Sequence, residues 1–514
     1  MLIFSFSPFG YEGALVTVEV DLRRGIPAVD IVGLADGAVK ESRERMQAAI
    51  RNSGFEFPNE RVLISLSPAD LKKEGAGFDL PIALSVILSN VPKSVSEKFI
   101  TDAVLVMGEL ELSGKVRSIK GVHAAISTAV ANGITRCIVP SGNLDEALEV
   151  EGALVYGANS LADAFSALSD VNVFKEKKLD VKNKDDVEFA DLGNAYRFED
   201  IKGQFKLVRG LQIAAAGGHN VLALGAPGCG KTMAMQKFPG INPLLSMDES
   251  QSVTRIWSLA GLIKPNEPLI RVPPFRMPHQ TATIEGICGG GVDVRPGEIS
   301  LAHNGVLFLD EAGEFRSSVL QMLRVPLESG CITLSRAGRS TCYPANFQLL
   351  MAVNPCPCGN YGSKTKLCLC SSKSVEQYWR KFSAPLLDRI DLKIFVENES
   401  DNPDIEEVRE GLQSTEEIRV GVKRAVEIQR KRQKKKNADL LPSEIEEFCK
   451  LDENSTVILE KAINRYGFSP RSISSILKVA RTISDIDGEV SISVRALAES
   501  IEYKKDCIGV MPEV

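Results

Sequence analysis

The 514-residue chain reads as a multidomain α/β protein closed by a helical region. Three observations predict this class. Short β-rich apolar runs alternate with helix-patterned stretches up to about residue 174, and again from 198 to 396. The second of these regions contains a glycine-rich turn, Gly225 to Thr232, between an apolar run and a helix-compatible one. From 397 to 514 the chain is polar and helix-patterned, with strong helix formers over 406–436 and 443–485.

In the first region, Leu15–Val20 and Val104–Met107 read as strands, and 36–53 and 78–88 as helices. The charged stretch after it, Lys175 to Asp186, has few apolar residues and no period, so a linker is expected over 175–197. Composition is that of a folded protein, 44% hydrophobic and 25% charged, which argues against extended disorder. A net charge of −6 excludes a uniformly basic nucleic-acid binder, so any such contact must come from local patches. No apolar run approaches the roughly 18 residues of a membrane span. The eleven cysteines form no disulfide-like framework, and a reducing, cytoplasmic setting is expected.

The sharpest motif is Gly225-Ala226-Pro227-Gly228-Cys229-Gly230-Lys231-Thr232, the pattern G-x-x-x-x-G-K-[ST]. Its glycines let successive backbone N–H groups curl toward phosphates at a helix N-terminus. Lys231 is of a length to reach the β and γ phosphates of ATP, and the Thr232 hydroxyl can hold Mg²⁺. Downstream, the apolar run Val306–Leu309 ends in Asp310 and Glu311, a buried strand delivering one carboxylate to Mg²⁺ and one to the attacking water. A second such strand, Leu349–Val353, ends in Asn354, suited to orient that water as a sensor 1 residue. Arg389, in Pro385-Leu386-Leu387-Asp388-Arg389, suits an arginine finger reaching a neighbouring subunit's γ-phosphate. Ser469-Pro470-Arg471 opens a helix with Ser469 as N-cap and Pro470 at the first turn, and places Arg471 as a sensor 2 residue. Together these elements give an AAA+ ATPase reading.

Cys356, Cys358, Cys368 and Cys370 are four of the eleven cysteines within one short stretch. Four thiolates can hold a structural tetrahedral Zn²⁺, although the spacing is C-x-C rather than C-x₂-C; reduced thiols or a redox-labile pair are the alternative. Cys331–Thr341 reads as strand–turn–strand with Arg336 and Arg339 near the tip, where they could track a phosphate backbone. The basic run Arg430–Lys436 suits either a solvated helix end or a phosphate contact. His123, His219 and His303 show no ligand spacing and read as structural.

Over nearly its whole length the sequence resembles the magnesium chelatase-like AAA+ ATPases, in particular the ComM/YifB group. The resemblance rests on Val32–Asp36, Lys73–Gly75, Phe78–Leu84, Ala214–Asn220, Pro274–Arg276, Arg295–Gly305 and Asn354–Gly359. His279-Gln280 and Ala384 depart from the group's usual histidine pair and glycine. The resemblance implies a hexameric ring with DNA in its pore, working in branch migration during recombination of incoming DNA. Pore-lining elements would be a long insertion between Lys231 and Asp310 and the hairpin after it. The region 1–174 is similar to the Lon protease fold, and the match puts Gly77 at the nucleophile and Ala125 at the general base, so that unit is expected to be catalytically inactive. A metal-chelatase motor, an ATP-dependent protease and a protein-remodelling ATPase are the competing readings.

Overall fold

The computed structural model describes residues 2–73, 75–92, 99, 102–177, 186–201, 203–264, 267–291, 294–336, 339–361, 367–396 and 414–505. The amino-terminal unit is built on a seven-stranded mixed sheet. Its strands are β1 (Ile3–Ser7), β2 (Ala14–Arg23), β3 (Ala28–Val32), β4 (Arg61–Ser67), β5 (Val104–Val106), β8 (Arg136–Pro140) and β9 (Leu154–Ala158), in the order β3-β4-β2-β1-β5-β8-β9, while β6 (Glu109–Leu110) and β7 (Val116–Arg117) form a separate short ribbon. Only the β1–β2 and β2–β4 pairings in the large sheet are antiparallel. The parallel neighbours require crossovers, and the sequence supplies helices for them. The Gly37–Asn52 helix begins where the Asp36 carboxylate accepts from Val39 N at 2.8 Å. The Asp79–Asn90 helix is buried from Asp79 through Ile87, in keeping with its largely apolar sequence.

The second unit is a five-stranded parallel sheet of β10 (Val221–Gly225), β11 (Phe275–Arg276), β14 (Val306–Leu309), β17 (Gln348–Val353) and β18 (Leu392–Val396), ordered β11-β14-β17-β10-β18. Every residue of β10, β14 and β17 is buried, which is why these strands read as continuous rather than alternating apolar runs. Between them the chain forms two antiparallel ribbons, β12–β13 (Gly289–Gly290 with Arg295–Pro296) and β15–β16 (Cys331–Arg336 with Arg339–Pro344).

The carboxy-terminal helices are Thr415–Gln433, Pro442–Phe448, Glu453–Tyr466, Pro470–Asp487 and Val494–Lys505. They are not a detached lid. Ile418, Val422, Val479 and Ile483 share one buried cluster with Leu207, Leu211 and Ile213 of the Phe205–Gly217 helix and with Ile394 of the sheet.

The segment expected as a linker is shorter than 175–197. Lys175 is tied to the first unit through paired backbone hydrogen bonds with Val155, both 2.8 Å. On the other side Val187 is buried in the core of the second unit, Phe189 packs against it, and Leu244 N donates to Glu188 O at 2.8 Å. Apolar side chains at 187 and 189 account for this, because they give that end of the charged stretch something to bury. The part of the expected linker from 178 to 185 lies outside the described residues.

The two units meet where the Val122–Ala131 helix packs on the Met247–Ala260 helix. His123 Nε2 and Gln251 Oε1 are 2.8 Å apart, Gly121 N donates to Ser258 O at 3.1 Å, and Arg255 donates to Tyr11 O and Thr128 Oγ1. Tyr11 N in turn donates to Thr341 Oγ1 on β16 at 3.3 Å, so the first unit also touches the hairpin. Among the described residues no helix is long and apolar enough to cross a membrane.

Candidate ATP site

Three buried strands end at one edge of the parallel sheet. The β17 strand lies between β10 and β14, with Leu224 opposite Val353 and Leu309 opposite Met351. The glycine-rich turn, Asp310 and Asn354 therefore leave neighbouring strands at the same carboxyl edge, where parallel α/β sheets bind ligands.

The turn folds as its glycines permit. Gly228 and Gly230 have φ of +83° and +86°, a region that side chains with a Cβ seldom adopt. Gly225 meets a different requirement, since a Cβ there would lie 2.4 Å from Val396 O on β18. The Lys231–Gln236 helix starts directly after Gly230.

Lys231 Nζ donates to Gly225 O at 2.7 Å and Ala226 O at 2.8 Å, and lies 3.3 Å from Asn354 Oδ1. Burial lowers the pKa of its ammonium, opposed by Cys229, Asp310 and Glu311. Thr232 Oγ1 donates to Asp310 Oδ1 at 2.9 Å. A hydroxyl and a carboxylate oxygen at that separation fit two adjacent ligands of an octahedral cation with bonds of about 2.0–2.1 Å, the Mg²⁺ length. Glu311 follows in the left-handed region, φ 47° and ψ 47°, and is exposed beside the turn that Asp310 Oδ1 caps by accepting from Glu311 N.

Arg389 and Arg471 lie elsewhere. The β10 and β18 strands are parallel, with Val221 opposite Leu392 and Gly225 opposite Val396. Arg389 precedes β18, so it sits at the amino edge of the sheet, on the order of 15 Å from the glycine-rich turn at about 3.3 Å per residue. Arg471, at the start of the Pro470–Asp487 helix, joins it there. Both pair with Glu328, Arg471 Nη1 at 3.8 Å from Glu328 Oε1, and both line a cavity of about 560 Å³ with Asp388, Lys436 and Lys478. Arg471, expected as a sensor 2 residue, thus lies at the edge of its own sheet opposite the glycine-rich turn, held there by its helix and its contact with Glu328. The Ser469 N-cap accepts from Ser472 N at 3.2 Å.

The helix is fastened to this edge through Asp391. Its carboxylate accepts from Ser475 Oγ at 2.6 Å and Asn220 N at 3.1 Å. Burial pushes its pKa up, but His219, Lys504 and Ser475 outweigh burial and hold it well below the usual carboxylate range. Neither Glu328 nor Asp391 has a motif that marks it in the sequence; each acquires its partners only through the fold.

The remaining candidates divide. The sulfurs of Cys356, Cys358, Cys368 and Cys370 all lie within 4.8 Å of one another. In the basic run, Arg432 is committed to Asp485 at 2.7 and 2.8 Å and Lys435 to Glu444 at 2.6 Å, so part of that charge serves structure. Arg336 and Arg339 are the last paired residues of the β15–β16 ribbon; their side chains and residues 337–338 lie outside the described residues.

The family model described as magnesium chelatase, subunit ChlI, matches residues 197–403, and two related ChlI models match 18–143 and 412–504. The chain is 38% identical over 506 residues to YifB of Escherichia coli K12, covering 98% of this chain and 96% of that one. It is 37% identical over 511 residues to competence protein ComM of Haemophilus influenzae, covering 98% and 97%. The chain belongs to the magnesium chelatase-like ComM/YifB family. It is accordingly an AAA+-type ATPase, with ATP and Mg²⁺ as the ligands its family and its P-loop imply.

Proposed function

We propose that the chain is an ATP-driven motor that moves DNA strands through a ring of identical subunits. The observation that carries this reading is the separation of Lys231, Thr232, Asp310 and Asn354 from Arg389 and Arg471 at opposite edges of one sheet. One subunit alone cannot bring both sets to a single nucleotide. Neighbours related by rotation can, each presenting its arginine edge to the next subunit's P-loop.

Within this reading the P-loop N–H groups and Lys231 bind the phosphates, and Thr232 and Asp310 hold Mg²⁺, which neutralises charge developing on the phosphates. Glu311 accepts the proton of the attacking water and Asn354 orients it. Arg389 and Arg471 stabilise the transition state on the neighbour. Zn²⁺ is the second metal, held by Cys356, Cys358, Cys368 and Cys370. The hairpin bearing Arg336 and Arg339 contacts DNA phosphates, and the amino-terminal unit, with Gly77 and Ala125 at its Lon-like positions, serves as scaffold. A hexameric ring and branch migration are the finer form of the proposal, supported by the likeness to ComM, whose name marks it as a competence protein.

The test is the ATPase rate with and without single-stranded and branched DNA, for wild type, Lys231→Ala and Glu311→Gln. Stimulation by DNA that both substitutions abolish is expected. Turnover indifferent to every DNA supplied would point instead to a protein client.

A further inference from the structure

Cys356 lies two residues beyond Asn354, and the segment it opens reaches every strand tip of the nucleotide site. Cys356 and Cys358 sulfurs are 3.3 Å apart, Cys356 and Cys368 3.7 Å, and Cys358 and Cys368 3.6 Å. A disulfide needs about 2.05 Å. The edges of a tetrahedron built on Zn–S bonds of about 2.3 Å are about 3.8 Å, close to these separations. Tyr361 N donates to Cys356 Sγ at 3.3 Å, the kind of backbone contact that steadies a metal-bound thiolate.

Three contacts run from this cluster to the ATP site. Gly359, with φ +78°, packs so closely on the P-loop that a Cβ would lie 2.3 Å from Pro227 Cδ. Pro355, between Asn354 and Cys356, accepts from Trp379 Nε1 at 3.0 Å. Trp379 belongs to the Ser372–Trp379 helix that begins just after Cys370, and the same segment reaches the turn after Glu311: Lys381 Nζ donates to Gly313 O at 2.5 Å, and a Cβ on Gly313 would lie 2.0 Å from Tyr378 Oη.

We infer that one Zn²⁺ on the four thiolates clamps Pro227, Asn354 and the Gly313 turn in register, so that metal loading controls how tightly the site binds ATP. The inference rests on the ATPase reading and on the cysteine assignment above, and extends both to regulation. When the metal leaves, the 356–358 turn and 368–370 keep only their apolar packing among the described residues, and Gly359 is held less firmly on Pro227. The P-loop then loses its support while Lys231 and the carboxylates remain in the chain.

The experiment measures metal content, ATP KM and kcat on the full-length protein, as purified and after zinc removal with a thiol-directed mercurial and chelator. One zinc per chain is expected. Its removal should raise the ATP KM by about tenfold or more, in line with the loss of a supporting shell, and added Zn²⁺ should restore it where Mg²⁺ alone does not. Gly359→Ala tests the clamp without touching a thiol: zinc should stay at one per chain while the ATP KM rises. Circular dichroism on each sample checks that the fold persists. Absence of zinc, or iron in its place, overturns the metal assignment. Zinc removal and Gly359→Ala that both leave KM and kcat unchanged overturn the clamp. A zinc-loaded wild type that never hydrolyses ATP sinks the ATPase reading instead, and binding of a fluorescent ATP analogue then reads the clamp directly.

Discussion

Glu311 holds a left-handed backbone conformation, φ 47° and ψ 47°, that costs a non-glycine residue on the order of 1–3 kcal/mol. Asp310 Oδ1, accepting from both Thr232 Oγ1 and Glu311 N, fixes the turn in which it sits. Glu311→Gln keeps the size and removes the base, so ATP binding should persist while kcat falls by about 10²–10⁴; nucleotide titration beside single-turnover kinetics separates the two. At the other extreme of burial is Asp485, whose carboxylate accepts from Arg432, Arg481 and Asn437 with its side chain fully buried. Asp485→Ala would leave two guanidinium groups without that partner and should cost about 3–5 kcal/mol, read as a lowered thermal midpoint. The P-loop is legible in the sequence because its chemistry is local, a run of consecutive residues from Gly225 to Thr232 with its own glycines. Asp485 and Glu328 are not, because apart from Arg481, one turn before Asp485 on its own helix, their partners come from separate helices and loops.

Among elements, the contact between the Val122–Ala131 and Met247–Ala260 helices carries a pH dependence. Burial holds the His123 pKa down at about 4, opposed by the bond to Gln251 and reinforced by Arg255. His303, beside Ser252 on the same helix, is likewise lowered to about 4, first by burial. An unfolded histidine titrates near 6.5. Between about 6.5 and about 4 the unfolded chain therefore binds more protons, so the stability these groups contribute is present above pH ~6.5 and lost as pH falls. The thermal midpoint should drop across that window, and His123→Gln should flatten the slope; an unchanged slope would contradict the assignment. Strands such as β10, β14 and β17 are readable as apolar runs, since strands buried on both faces have no polar alternation. Their pairing in the sheet is not, and it is the parallel pairing of β18 with β10 that puts Arg389 at the far edge. The whole 175–197 stretch reads as linker because its charge masks Val187 and Phe189, which the fold buries or packs against the core.

For the whole molecule, the proposed ring of two-edged subunits would make activity a property of the assembly. Specific ATPase activity should rise with protein concentration until rings fill. Arg389→Ala should reduce turnover by about 10³ or more with ATP affinity kept. Mixed with Lys231→Ala, it should recover activity, because each variant supplies the half-site that the other lacks. Failure of such mixtures, with both variants shown to assemble together, would contradict a shared site.

The most direct measurement follows a labelled strand in a three- or four-stranded DNA junction incubated with the protein and ATP. Wild type with ATP is expected to exchange the strand, while a non-hydrolysable analogue or Glu311→Gln should leave it in place. Junctions that stay intact beside a protein actively hydrolysing ATP would contradict a DNA motor.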